Sequence, residues 1–380
     1  MTNGGVKMAK SKKYYSLKNI KAKNAQYAVI FGERSNGKTY AVCAEEILEN
    51  FVKSDGVEQG AIIRRFDDDF IGVTSARSMF NSLVFNGNGQ NIIKEKTKIY
   101  DGVEYYGGAY YMCVKDEKTG KLLRTSVVLA YAFALTSEQS YKSGSYPHIT
   151  TILFDEFMTR SFYLRDEFIT FQGILSTIIR DRDNVKIYMC ANTVNKYGCP
   201  YFAEMGLTHV KQMKQGDIDV YEYGETGLRV AVEWADSPSK TGKASDVYFA
   251  FNNPRLKMIT NGVWEMAIYP HCPAKYKPKD VALVYFIHYD DELLQCEIVV
   301  SETDHFTFVH RKTGEIKNDD DITFDLEPSS KPNRRTRISA PYDNIGKRIY
   351  SYYVADKVFY QDNEVGEIVR NYLNACRKLA

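Results

Sequence analysis

The chain has 380 residues, with 50 Lys and Arg against 48 Asp and Glu for a net charge of +2, and is 44% apolar and 13% aromatic. These values exclude a disordered or strongly polyionic chain, and the length asks for two or three domains at roughly 100 to 200 residues each. No window of about 18 uncharged apolar residues occurs, and MTNGGVKMAKSKKYY carries no apolar signal core, so neither a membrane span nor secretion is expected.

Seven scattered Cys without a C-x-x-C pair predict a reducing compartment and no zinc site. Near the N-terminus, Lys7, Lys10, Lys12, Lys13, Lys18, Lys21 and Lys23 form a basic segment over 1–25. A solvated face or arm is the commoner reading of such a cluster, and nucleic-acid contact is the other.

In chain order, YAVIF (27–31) predicts a buried strand that runs into Gly32, and TYAVCAEEILENFVK has the apolar spacing of a helix. AIIRRF (61–66) predicts a second strand, and the Gly and Asn of FNGNGQN (85–91) a loop. Residues 97–134 alternate around turn signals, which predicts hairpin strands followed by a buried strand. TTILFDEF (150–157) and NVKIYMCANT (184–193) are apolar strands with polar ends, separated by the helical pattern FITFQGILSTIIRDRD.

Fully apolar strands separated by helices predict a doubly wound, mostly parallel α/β sheet over 26–215. The pattern weakens over 216–260, where a linker or lid is expected. A second domain over 261–380 starts with strand-like runs at 280–301 and 305–317. It ends in an amphipathic helix with Val365, Ile368, Val369, Tyr372, Leu373 and Cys376 on one stripe. A second basic cluster, KPNRRTR, occupies 331–337.

GERSNGKT (32–39) matches G-x-x-x-x-G-K-[ST]. In this pattern a Gly-rich turn points backbone N–H groups at phosphates, at the positive end of the following helix. Gly32, Glu33, Arg34, Ser35, Asn36, Gly37, Lys38 and Thr39 are the candidate ATP-binding residues, with Lys38 reaching the β- and γ-phosphates and Thr39 ligating Mg²⁺. Asp155 would hold the Mg²⁺ shell, and Glu156 would deprotonate the attacking water. An adjacent acid of this kind marks the additional-strand class of P-loop ATPases, whose next strand ends in a phosphate sensor, here Asn192 beside Thr193. The transferring phosphoryl group also needs an arginine, and Arg34, Arg64, Arg65, Arg180 and Arg182 are candidates.

GERSNGKT, SEQSYKSGSYPHITTILFDEF and IIRDRDNVKIYMCANTVNKYGCPYF together resemble the DNA-packaging (encapsidation) ATPase of small tailed bacteriophages with protein-primed linear genomes. The resemblance spans about residues 26–210, with a weaker echo at 354–373. It implies a ring, thought to be pentameric, that docks on the portal of a prohead and translocates double-stranded DNA inward. It also implies work in the cytoplasm of the infected host, only transiently on the prohead and absent from the mature virion.

By the same resemblance Arg180 acts in trans as an arginine finger, Lys142 lies at the subunit interface, and Arg34 matches a loop arginine shared with large terminases. The C-terminal domain would be ribonuclease H-like without nuclease activity. A packaging RNA cannot be carried over, nor can contacts made by the extra length at 90–130 and 235–255. A helicase-like translocase, a terminase with an active nuclease and a nucleotide-gated scaffold stay open as alternatives.

Overall fold

The computed structural model describes residues 14–378 apart from 35, 73–75, 86–88, 160–162, 195–197, 237–266, 273–274, 290, 303 and 319. The chain divides into two units, Met1–Trp264 and Glu265–Ala380.

In the first unit, Tyr27–Gly32 (β1) is buried from Ala28 onward, as an apolar strand covered on both faces must be. The helix after it, α1, runs from Lys38 to Lys53 through a π-helical turn at Cys43–Ile47. Val42, Cys43, Ile47, Leu48 and Phe51 form its buried stripe. Next come Gln59–Arg64 (β2), Gly102–Tyr106 (β3), Ala109–Lys115 (β4), Leu122–Ala134 (β5) and Ile149–Asp155 (β6). Helix Glu167–Ile179 (α2) leads to Lys186–Asn192 (β7), and Ile218–Tyr223 (β8) and Leu228–Trp234 (β9) close the sheet.

The strand order is β3-β4-β5-β2-β6-β7-β1-β9-β8. From β5 through β9 the pairs are parallel, and hairpins add antiparallel strands at both edges. β7 lies between β1 and β6, the interposed strand of the additional-strand arrangement.

Two expected boundaries need correction. The linker or lid expected over 216–260 is sheet in its first part, because β9 pairs in parallel with β1 and β8 pairs with β9. The polar alternation of an edge strand with few buried residues disguised this hairpin. Residues 237–260, nearly all the rest of that expected linker, lie outside the described residues. The basic segment expected at 1–25 is also integral where it is described. Leu17 and Ile20 are buried, Lys21 pairs with Glu46, and the Tyr15 hydroxyl donates to Glu233 at 2.6 Å. Lys7, Lys10, Lys12 and Lys13 lie outside the described residues.

The second unit is a 6-stranded sheet. Val281–Tyr289 (β10), Glu292–Val300 (β11) and His305–Arg311 (β12) form an antiparallel meander. Thr323–Phe324 (β13) joins β10 in parallel, and Arg334–Arg335 (β14) joins β13 in parallel. This is the 3-2-1-4-5 order of a ribonuclease H-like sheet, with Val358–Tyr360 (β15) added in parallel outside β12. Among the described residues, no helix stands between β12 and β13 or between β13 and β14.

Helices Asn344–Val354 (α3) and Asn363–Lys378 (α4) flank β15 in the chain, and α4 buries Val365, Ile368, Val369, Tyr372 and Cys376 against β10, β12 and β15. β10 carries no acid, and Asp325 is held by His288 at 3.0 Å. Asp290 lies outside the described residues. Within the second basic cluster, Arg335 makes a bidentate pair with Asp343 (3.1 and 2.8 Å) over the Tyr342 ring, so this arginine is a clamp inside the unit.

Candidate active site

A cleft of about 180 Å³ opens at the C-terminal ends of β1, β6 and β7, lined by Asn36, Gly37, Lys38, Thr39, Tyr40, Asp155, Glu156, Ala191 and Asn192. Its position follows from the topology, since the loop leaving β1 turns into the N-terminus of α1 beside the ends of two parallel neighbours. Gly37 has φ 98°, a left-handed conformation that a side chain resists.

Lys38 is buried, and its ammonium is tied back to the loop that carries it. Nζ donates to Glu33 O at 2.6 Å, to Asn36 Oδ1 at 3.1 Å and to Gly32 O at 3.3 Å. Burial lowers its pKa to about 8, against the pull of nearby acids. Thr39 Oγ1 donates to Asp155 Oδ1 at 2.7 Å, which joins the two motifs across 116 positions. These two hard oxygen donors, side by side, fit Mg²⁺, which takes a few protein oxygens and keeps its remaining ligands as water and phosphate.

Asp155 and Glu156 are adjacent yet differ in environment. The Asp155 side chain is 11% exposed, and burial pushes its carboxyl up while Arg64 and the Thr39 hydroxyl pull it down. The Glu156 side chain is 59% exposed, so it stays open to the cleft. Glu156 has φ 59°, rare for a residue with a side chain, and its N–H donates to Cys190 O at 2.8 Å on the neighbouring strand.

Arg64, at the end of β2, bridges both acids, with Nη1 2.7 Å from Glu156 Oε2 and 3.3 Å from Asp155 Oδ2. Arg65 turns the other way. It pairs with the buried Glu167 through Nε and Nη2, both at 2.8 Å, and donates to Glu156 O at 3.2 Å and Phe157 O at 2.7 Å. Tyr201 donates its hydroxyl to the same Glu167 at 2.8 Å. Arg65 therefore fixes the backbone of the turn that holds Glu156, and a direct role for it at the phosphates is set aside.

Asn192 stands opposite Gly32 in the β1–β7 register, and Thr193 N–H donates to Gly32 O at 3.0 Å. Arg34 is exposed on the loop, Glu33 accepts from Gln215 at 3.4 Å, and Ser35 lies outside the described residues. Two expected residues lie elsewhere. Arg180 follows the C-terminal end of α2, next to where β7 begins, at the opposite end of the strands from the cleft. It is exposed, and Nη2 donates to Gly144 O at 2.6 Å. Lys142, two residues before Gly144, is exposed and pairs with Glu138 at 3.4 Å.

Arg182 is committed to the fold, because its guanidinium donates to the carbonyls of Tyr146, Pro147, Ile149 and Ile178. Sequence reasoning missed Glu167, Tyr201 and Tyr15. An isolated Glu or Tyr carries no signal of the partner that a distant segment will supply.

The interposed strand, the loop and the acid pair define a P-loop nucleotide-binding protein of the additional-strand class. Residues 8–242 match the sequence profile of the podovirus DNA encapsidation protein (Gp16) family, and the chain belongs to that family. It is 28% identical over 181 residues to the DNA packaging protein of Bacillus phage B103, a stretch that covers 47% of each chain. It is 26% identical over 176 residues to the DNA packaging protein of Bacillus phage phi29, covering 46% of this chain and 44% of that one. The chain thus spans about half the length of the curated relatives it matches. A chain of the bacteriophage Phi-29 viral genome packaging motor assembly shares the fold over 96% of this chain and 99% of its own, at TM-score 0.54 and 18% identity.

Proposed function

We propose that the protein is an ATP-driven motor that moves double-stranded viral DNA into a prohead. The observation that carries the reading is the 2.7 Å contact of Thr39 with Asp155, which sets the phosphate loop against an acid pair whose second member is open to the cleft. Family membership supplies the task. Lys38 and the loop amides bind the ATP phosphates, Thr39 and Asp155 hold Mg²⁺, and Glu156 takes the proton of the attacking water. Mg²⁺, when bound, supplies charge neutralisation at the phosphates. Asn192 senses the terminal phosphate.

Arg180 and Lys142 lie on two exposed segments that meet through the Arg180 contact with Gly144, which suits residues that serve a neighbouring subunit in a ring, with five subunits as the expected number. The partners are DNA, the portal and other copies of the chain, and the second unit binds DNA or portal without cutting. A packaging RNA is a further candidate partner. The work takes place in the host cytoplasm, transiently on the prohead, and the mature virion lacks the protein.

The test is ATP turnover with DNA and portal-bearing proheads, compared between wild type and Lys38→Ala. Prohead-stimulated turnover that Lys38→Ala abolishes is the expected result. Turnover stimulated by DNA but indifferent to proheads would make the protein a different translocase.

A further inference from the structure

Asn36 is held on every side but one. Its carbonyl accepts the Tyr15 N–H at 3.0 Å, and Tyr15 is anchored in turn by its hydroxyl on Glu233. Its Oδ1 accepts from Lys38 N at 3.3 Å and Lys38 Nζ at 3.1 Å. Both partners can only donate, so the atom facing them must be the oxygen, and the orientation of the amide is fixed by chemistry. That leaves Nδ2, which is buried without an acceptor among the described residues, on a residue only 7% exposed. A buried amide donor without a partner is costly, and native folds retain such groups where a ligand completes them.

Asn36 lines the cleft together with Lys38, Thr39 and Asp155. Its amide touches the tip of Lys38, the group that P-loop chemistry brings to the β- and γ-phosphates. We propose that the Asn36 side chain is a phosphate-reading switch. Its Oδ1 holds the Lys38 ammonium against the loop, and when ATP binds the ammonium moves to the phosphates while Nδ2 donates to a terminal phosphate oxygen. The exchange converts a self-satisfied loop with one orphan donor into a cradle with none. It extends the role of Asn36 from the backbone to the side chain, and it rests on the ATPase reading above.

The test is calorimetric binding of Mg-ATPγS and of Mg-ADP to the full chain, for wild type, Asn36→Ala and Asn36→Asp, with thermal melting of each nucleotide-free protein. A hydrogen bond to a charged phosphate predicts about a tenfold loss of ATPγS affinity in Asn36→Ala, with ADP affected by less than about threefold. Asn36→Asp keeps the shape but replaces the donor with a negative charge, so it loses more. The nucleotide-free melting temperature of Asn36→Ala gives the baseline for folding, because the truncation removes the orphan donor together with the Oδ1 acceptor of Lys38 N–H and Nζ. Wild-type affinity for ATPγS in both variants would overturn the switch, and so would equal losses for ATPγS and ADP, while leaving the ATPase reading intact. Failure of the folded wild type to bind either nucleotide would overturn both.

Discussion

Arg64 Nη1 lies 2.7 Å from Glu156 Oε2, so the group expected to accept a proton from water begins inside an ion pair. Arg64 is buried and also neutralises Asp155, so its removal leaves a buried carboxylate short of charge. Arg64→Ala should lower ATP turnover by about a hundredfold, the scale of one positioned catalytic group. Arg64→Lys, which keeps the charge but loses the fork, should fall between. Steady-state turnover at saturating ATP measures both.

Glu156→Gln keeps shape and hydrogen bonding but cannot take a proton. Turnover should fall about 10² to 10⁴-fold while ATP binding persists, as read by ATPγS calorimetry beside a hydrolysis assay. Wild-type turnover in this variant would remove Glu156 from the base role.

The Arg65–Glu167 pair is shielded from water, with side chains 6% and 0% exposed. Breaking it with Glu167→Gln or Arg65→Met should cost about 3 to 5 kcal/mol of stability. Tyr201→Phe, which removes one hydrogen bond from the same carboxylate, should cost about 1.5 to 3 kcal/mol. Denaturant melts of the three variants rank these losses, and Tyr201→Phe should bind ATP normally.

Arg180 and the cleft sit at opposite ends of the strands of one chain. In mixtures, Arg180→Ala subunits should regain turnover when combined with Lys38→Ala subunits, each supplying what the other lacks. A mixture with no more activity than its separate components would confine Arg180 to a structural role at Gly144.

In the second unit, Glu297 accepts from Tyr276 and Gln295 at 2.6 Å and from His310 at 3.4 Å. His310 leads in holding the Glu297 carboxyl down to about 2, and Glu297 leads in raising His310. A raised histidine stabilises the fold below its unfolded pKa, and that contribution is lost as pH rises through the folded value. The lowered glutamate stabilises above its unfolded pKa, and its contribution is lost as pH falls toward about 2. His310→Gln should therefore flatten the loss of stability on the alkaline side of the histidine range, by about 1 kcal/mol or less, as read by denaturant melts across that pH range.

The phosphate loop, the acid pair and the parallel core were legible because their chemistry lies in contiguous residues and their strands are apolar throughout. The partnership of Arg64 with Glu156 was not, because it needs the register that sets Ile63 beside Phe154 across β2 and β6. The β8 half of the hairpin was hidden because an edge strand alternates polar and apolar residues without a buried run, whereas β9 does carry a buried run at Val230–Glu233 that the weak pattern around it masked. Glu167 stands just ahead of the helical pattern with no signal of its partner, and only the fold reveals it as the anchor of the Glu156 turn.

α2 begins at Glu167, clamped through Arg65 to the backbone of Glu156, and ends one residue before Arg180. Thirteen helical residues make a rod of about 20 Å that resists stretching. In the ring proposed above, a shift of the Glu156 turn would be carried along this rod toward Arg180. Turnover in one subunit would then be felt at its own exposed far end with no separate messenger required.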